Sequence, residues 1–302
     1  MQHSAHFAGI IPPVSTIFTP EGDFDRQGTG VLIDNLIAAG VDGLFFLGSG
    51  GEFSQLNVEE RKNIAAFAIA HVNGRVPVLI GTGGTNARET IALSQHAQQN
   101  GADGIVVINP YYWKVSEANL IHYFQQVADS VTLPVILYNF PALTGQDLTP
   151  PLVKKLADSR ANIVGIKDTI DSIAHLRSMI SLVKAEHPRF SVLSGYDDHL
   201  FNTLLLGGDG AISASGNFAP QLSVGLLQAF RDGDLAQASK LNQTLLQIPQ
   251  IYQIDTPFVN VIKEAMALCG QPISTYVLPP AAPLNTEKKA QLATLLQRLQ
   301  LC

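Results

Sequence analysis

Lys167 closes an apolar run, Asn162-Ile163-Val164-Gly165-Ile166-Lys167-Asp168-Thr169, and of all the lysines in the chain it has the setting most suited to chemistry. Alternation along a strand places it on the same face as Ile163 and Gly165, pointing inward, with Gly165 leaving room for a ligand. Burial disfavours an ammonium and lowers its pKa, which turns a lysine into a nucleophile able to form a Schiff base with a ketone. The competing reading is a structural ion pair with Asp168 or a neighbouring carboxylate. Tyr138 ends the preceding run, Pro134-Val135-Ile136-Leu137-Tyr138, and Asn139-Phe140-Pro141 breaks the chain just after it. A phenol at that edge can relay a proton to or from a substrate oxygen, or be a core tyrosine with a satisfied hydroxyl. Lys154, Lys155, Lys288 and Lys289 lie on polar helical stretches, Lys263 follows Val259-Asn260-Val261-Ile262, and Lys114 shares the rim with Lys167.

Two glycine-rich turns follow strand candidates. In Gly48-Ser49-Gly50-Gly51-Glu52 the backbone N–H groups can converge as a nest for a carboxylate, with the Ser49 hydroxyl as a further donor. Gly81-Thr82-Gly83-Gly84-Thr85-Asn86 has similar composition, and neither turn matches a P-loop or a dinucleotide fingerprint. Ser194-Gly195-Tyr196-Asp197-Asp198 carries an acidic pair suited to sugar hydroxyls, to a divalent metal, or to capping a helix. The eight histidines are scattered without metal-ligand spacing, so no metal is expected.

The elements that position these residues recur along the chain. Apolar, β-rich runs at 10–18, 43–47, 76–80, 104–108, 134–138, 163–167, 190–193 and 210–213 give eight strand candidates, most apolar on both faces. Segments of helical period lie between them, at 30–39, 59–72, 87–99, 117–128, 170–183 and 198–206. Gly40-Val41-Asp42-Gly43, Gly101-Ala102-Asp103-Gly104 and Gly207-Gly208-Asp209-Gly210 repeat one signature, a glycine closing a helix and a second entering a strand. The alternation predicts an α/β chain folded as a (β/α)₈ TIM barrel over 1–228. Residues 229–302 lack strand pattern and are expected to form a helical extension packed on the barrel. Active sites of such barrels sit past the carboxyl ends of the strands, where Lys167, Tyr138, Ser49 and Asp197 all fall.

Composition narrows the function classes. With 46% hydrophobic and 15% charged residues the chain can bury a large core, and a net charge of −6 argues against nucleic-acid partners and anionic membranes. No apolar stretch approaches the span of a bilayer, and the two cysteines, Cys269 and Cys302, cannot build a disulfide framework or a Cys-type zinc site. A reducing, cytoplasmic setting is expected.

Taken together, Gly48 to Glu52, Tyr138-Asn139-Phe140-Pro141 and Gly165-Ile166-Lys167-Asp168-Thr169 resemble the dihydrodipicolinate synthase and N-acetylneuraminate lyase superfamily of Schiff-base aldolases over the whole chain. The resemblance implies that Lys167 forms the Schiff base with pyruvate, that Tyr138 is the acid/base, and that Gly48, Ser49 and Gly50 surround the pyruvate carboxylate. It further implies that Tyr112, in Asn109-Pro110-Tyr111-Tyr112-Trp113, is lent to a neighbouring subunit of a homotetramer. Gly195, Asp197 and Asp198 would contact substrate hydroxyls, and no dissociable cofactor is implied. Leu143 stands where the synthases carry an arginine for a second carboxylate, so aspartate semialdehyde is disfavoured. The likeness is strongest to 2-keto-3-deoxygluconate and 2-keto-3-deoxypentonate aldolases, which cleave a sugar acid to pyruvate and a short hydroxyaldehyde. N-acetylneuraminate lyase and dihydrodipicolinate synthase are the alternatives, deoxyglucarate dehydratases stand further off, and a non-enzymatic sugar-acid binder or a metal-dependent barrel using Asp197 and Asp198 comes from other classes.

Overall fold

The computed structural model describes residues 6–302. Strands β1 (Gly9–Ile10), β2 (Leu44–Phe46), β3 (Val78–Gly81), β4 (Gly104–Ile108), β5 (Val135–Asn139), β6 (Ile163–Asp168), β7 (Ser191–Ser194) and β8 (Gly210–Ala211) form one sheet ordered β1-β8-β7-β6-β5-β4-β3-β2. Every neighbouring pair is parallel. The stretch after β1 closes the cylinder against β2: Phe45 donates its N–H to Pro12 O at 3.0 Å, and Val14 donates to Phe45 O at 2.8 Å. The result is the expected (β/α)₈ barrel. Its first strand is far shorter than the run at 10–18, because Pro12 and Pro13 have no N–H to offer a ladder and pairing passes to isolated bonds.

Helices α1 (Arg26–Ala38), α2 (Val58–Val72), α3 (Ala87–Gln99), α4 (Glu117–Asp129), the short α5 (Pro141–Thr144), α6 (Pro150–Ser159), α7 (Ile173–Met179), α8 (Leu200–Leu205) and α9 (Pro220–Arg231) cover the strands. Side chains at Asp25, Asn57, Asn86, Ser116 and Ser172 cap the first turns of α1, α2, α3, α4 and α7, each accepting a backbone N–H otherwise left bare. In the repeated signature Gly40, Gly101 and Gly207 take φ of +84°, +86° and +90°, as helix closure requires. Its aspartates have a role that the sequence pattern did not reveal. Asp42, Asp103 and Asp209 accept the strand N–H groups of Ile10, Val78 and Val192 at 2.8, 2.8 and 2.7 Å, stapling one strand start to the next.

Helix α9 runs through position 228 to Arg231, and Asp234 then caps α10 (Leu235–Leu245). The chain continues through α11 (Pro249–Tyr252), α12 (Val259–Leu268) and α13 (Thr286–Arg298). The two cysteines, from whose number the sequence implied no disulfide framework and a reducing setting, are joined: Cys269, at the end of α12, bonds to Cys302. The C-terminal end of α13 brings the two thiols together, a tertiary proximity that a count of two cysteines does not contain. No helix among the described residues is long and apolar enough to cross a membrane.

Candidate active site

Tyr138 on β5 and Lys167 on β6 are direct partners in the strand register. A bulge at Val164 breaks the alternation counted from Ile163, yet Gly165, Ile166 and Lys167 resume it, and the Lys167 side chain turns into the barrel mouth. Gly165 serves packing, not ligand space: a Cβ there would lie 2.8 Å from Ser191, so the glycine permits the close approach of β7. The Lys167 amine sits 4.1 Å from the Tyr138 ring centre and 5.1 Å from that of Phe45. Asp168 does not pair with it. Burial lowers the Lys167 pKa to about 7, with the negative charge of Asp197 opposing the fall, so near neutrality much of the amine is free to attack.

The Tyr138 hydroxyl lies 3.2 Å from that of Ser49. Burial pushes its pKa up to about 12 against the pull of the Ser49 and Thr169 hydroxyls, so the resting phenol holds its proton. Ser49–Gly51 forms one 3₁₀ turn after β2. The first N–H groups of a helical turn have no partner within it, and here they belong to Ser49 and Gly50, both on the cavity wall. Gly48 lies beneath the turn, where a Cβ would meet the Phe45 ring at 2.5 Å.

The cavity around Lys167 has a volume of about 210 Å³ and is lined by Ser49, Gly50, Tyr138, Thr169, Gly195 and Asp197 among others. A wider one of about 520 Å³ adjoins it, sharing Ser49, Tyr252 and Phe258, with Leu143 on its outer wall. Among the described residues Lys167 is the only lysine or arginine on either wall. The acidic pair divides. Asp197 is fully buried and engaged, accepting the Tyr252 O–H at 2.7 Å and the Ser215 N–H at 3.1 Å, while Asp198 is absent from the wall. The two carboxylates therefore do not share the cavity wall, and among the described residues no three His, Cys, Asp or Glu side chains group as ligands. Tyr112 is 92% exposed at φ +81°, outside this cavity.

Behind the two strand ends lies a closed ring of polar groups. Asn139, next to Tyr138, donates to Asp168 at 2.9 Å and to Asp147 at 2.8 Å. His175 donates from Nδ1 to Asp168 at 2.8 Å, and its Nε2 lies 3.4 Å from Asp147. Burial works against charge on His175, but hydrogen bonds to Asp147 and Asp168 outweigh it and raise its pKa to about 10.

The model of the dihydrodipicolinate synthetase family matches residues 6–299. The chain belongs to that family. It is 79% identical, over the full length of both chains, to the protein of Escherichia coli K12 named "Putative 2-dehydro-3-deoxy-D-gluconate aldolase YagE". It is 59% identical, over 96% of each chain, to the "Probable 2-dehydro-3-deoxy-D-pentonate aldolase YjhH" of the same organism. The crystal structure of YagE in complex with pyruvate superposes with a TM-score of 0.98 over 99% of this chain and 100% of the other, at 80% identity. A dihydrodipicolinate synthase from Thermotoga maritima reaches 0.93 at 29% identity, over 99% of this chain and 100% of that one, so the family frame persists where most side chains have changed.

Tyr252 and Phe258 escaped sequence reasoning because they come from the extension, whose return to the barrel mouth no local pattern announces. The Tyr252 phenol aimed at a fully buried carboxylate is visible only in three dimensions.

Proposed function

We propose that this protein is a class I aldolase that reversibly cleaves a 2-keto-3-deoxy sugar acid to pyruvate and a short hydroxyaldehyde. The observation that carries the reading is the Lys167 amine, fully buried, with a pKa near 7, on the wall of a cavity shared with Tyr138 and Ser49. Lys167 attacks the C2 ketone, and loss of water leaves a protonated imine. Its positive charge is favoured by Asp197 and by the faces of Tyr138 and Phe45. When the C3–C4 bond breaks, the electron pair moves into the imine to give an enamine, and the C4 hydroxyl proton passes to Tyr138. A phenol with a pKa near 12 serves as a relay, taking that proton while handing its own to Ser49, which releases its proton to water in the open cavity; the same relay run in reverse supplies the proton for C3. Protonation of the enamine at C3 and hydrolysis release pyruvate and regenerate the amine.

The cavity walls favour an uncharged distal end. With no lysine or arginine beside Lys167 and with Leu143 on the outer wall, a second carboxylate or a phosphate would be desolvated without a partner. The names of YagE and YjhH point to the same substrate class. Tyr112 is assigned to a neighbouring copy's site in a homotetramer, and Ser49 and Gly50 to the pyruvate carboxylate. A cytoplasmic location stays within the proposal; the Cys269–Cys302 bond weighs against a reducing compartment, and a thiol count on freshly lysed cells decides it.

Borohydride with pyruvate should inactivate the enzyme and leave one reduced adduct per chain, on Lys167 by peptide mass spectrometry. An adduct elsewhere, or none, overturns the mechanism. With pyruvate fixed, glyceraldehyde or glycolaldehyde should condense with higher kcat/KM than N-acetylmannosamine, and aspartate semialdehyde not measurably; the reverse ranking overturns the substrate class.

A further inference from the structure

The Schiff-base chemistry leaves a second buried lysine unused. Lys263, on α12 in the extension, is fully buried and bonds to the Glu52 carboxylate at 2.5 Å and to Tyr276 O at 2.8 Å, over the ring of Phe18. Glu52 is itself buried, and its other carboxylate oxygen accepts the Leu278 N–H at 2.8 Å. It is also the residue that ends the Ser49–Gly51 turn, and it does so at φ +58°, a left-handed conformation that strains a residue with a side chain. A strained backbone, a fully desolvated ion pair and a contact spanning 211 residues thus meet at one point beside the Lys167 cavity.

We propose that Glu52 and Lys263 are positioning residues: the extension reaches over the barrel mouth and, through this latch, holds the Ser49–Gly51 turn in the place from which it binds the keto acid. The inference rests on the assignment of Ser49 and Gly50 to the pyruvate carboxylate. The extension is then a part of the active site, supplying cavity wall through Tyr252 and Phe258 and the clamp on the Ser49–Gly51 turn through Lys263. Because the latch acts on the turn and leaves Lys167 and Tyr138 in their strands, its loss should weaken keto-acid binding more than it slows bond cleavage.

Removing one partner alone would strand a buried charge, so the test uses the double variant Glu52→Gln with Lys263→Met, in which the introduced amide oxygen can still accept the Leu278 N–H. The readout is the pyruvate concentration that half-saturates borohydride inactivation, set beside kcat. We expect half-saturation to rise about tenfold, the scale of a displaced binding group, with kcat within about threefold of wild type. Lys184→Met with Asp209→Asn removes another largely buried pair, 2.6 Å apart before β8, and should leave half-saturation unchanged. Ser49→Ala tests the parent assignment and should raise it. A normal value in the latch variant beside a raised one in Ser49→Ala overturns the latch alone, and normal values in both overturn the carboxylate assignment. Equal rises in the latch and Lys184/Asp209 variants, or a fall in kcat with normal half-saturation, also overturn the latch. If the double variant does not fold, Glu52→Asp, which keeps the charge and retracts it by one methylene, should give the same rise; a wild-type value there overturns the proposal.

Discussion

At the scale of single residues, the site is governed by how far burial carries Lys167 below the ordinary lysine range and by how much Asp197 restrains that fall. The two act in opposite directions, so they can be separated. The rate of borohydride-trapped adduct formation should rise with pH through about 7 and level off above it, as the amine loses its proton. In Asp197→Asn the restraining charge is gone, and the inflection should move to lower pH. A pH–rate profile that keeps its wild-type midpoint would show that Asp197 does not act on the amine. The positions of Lys167 and Tyr138 at the barrel mouth were legible in the sequence because each ends an apolar run, and in a parallel barrel that position fixes the end of the barrel at which a residue stands. The Tyr252 partner of Asp197 was not, since that phenol arrives from another element.

At the scale of elements, the ring of Asn139, Asp147, Asp168 and His175 ties β5, β6 and α7 together just behind the strand ends that carry Tyr138 and Lys167. The pKa of His175 is raised in the folded state, so its contribution to stability is complete below its unfolded pKa of about 6.5 and is lost progressively as pH rises from there through about 10. His175→Gln leaves the fully buried Asp168 without its cation, and should lower unfolding stability at pH 7 by about 3 kcal/mol. The same variant should lose the decline of wild-type stability that runs from about pH 6.5 to about pH 10. An unchanged denaturation midpoint would remove the ring from the account. Periodicity anticipated α3 and β4 to the residue, since neither has a proline or an isolated polar break. It overextended the first strand, where two prolines end the ladder, and began the segment at 170–183 too early, because Ser172 caps α7 and the helix starts at Ile173. The aspartate staples and the ring were illegible, since each joins residues that only the closed barrel brings together.

At the scale of the whole molecule, Tyr112 and Trp113 stand 92% and 75% exposed on one rim loop, an arrangement that suits a surface meant to be covered. Under the proposed assembly, Trp113→Asp should sediment as a smaller species than wild type and lose activity with it, since Tyr112 would no longer reach the neighbouring site. A wild-type chain that sediments as a fully active monomer would end that reading.

The depressed pKa of Lys167 has a consequence outside catalysis. An amine that is about half unprotonated at pH 7 in a cavity of about 210 Å³ is open to any small electrophile, not only to ketones. Cyanate, which accumulates in aged urea, would carbamylate Lys167 ahead of the solvent-facing lysines and silence the enzyme while leaving its fold intact. Pyruvate, by occupying the amine, would shield it. Unfolding measurements in urea would then mix denaturation with covalent loss of the nucleophile, and guanidinium, which forms no cyanate, is the denaturant with which refolded activity can be counted.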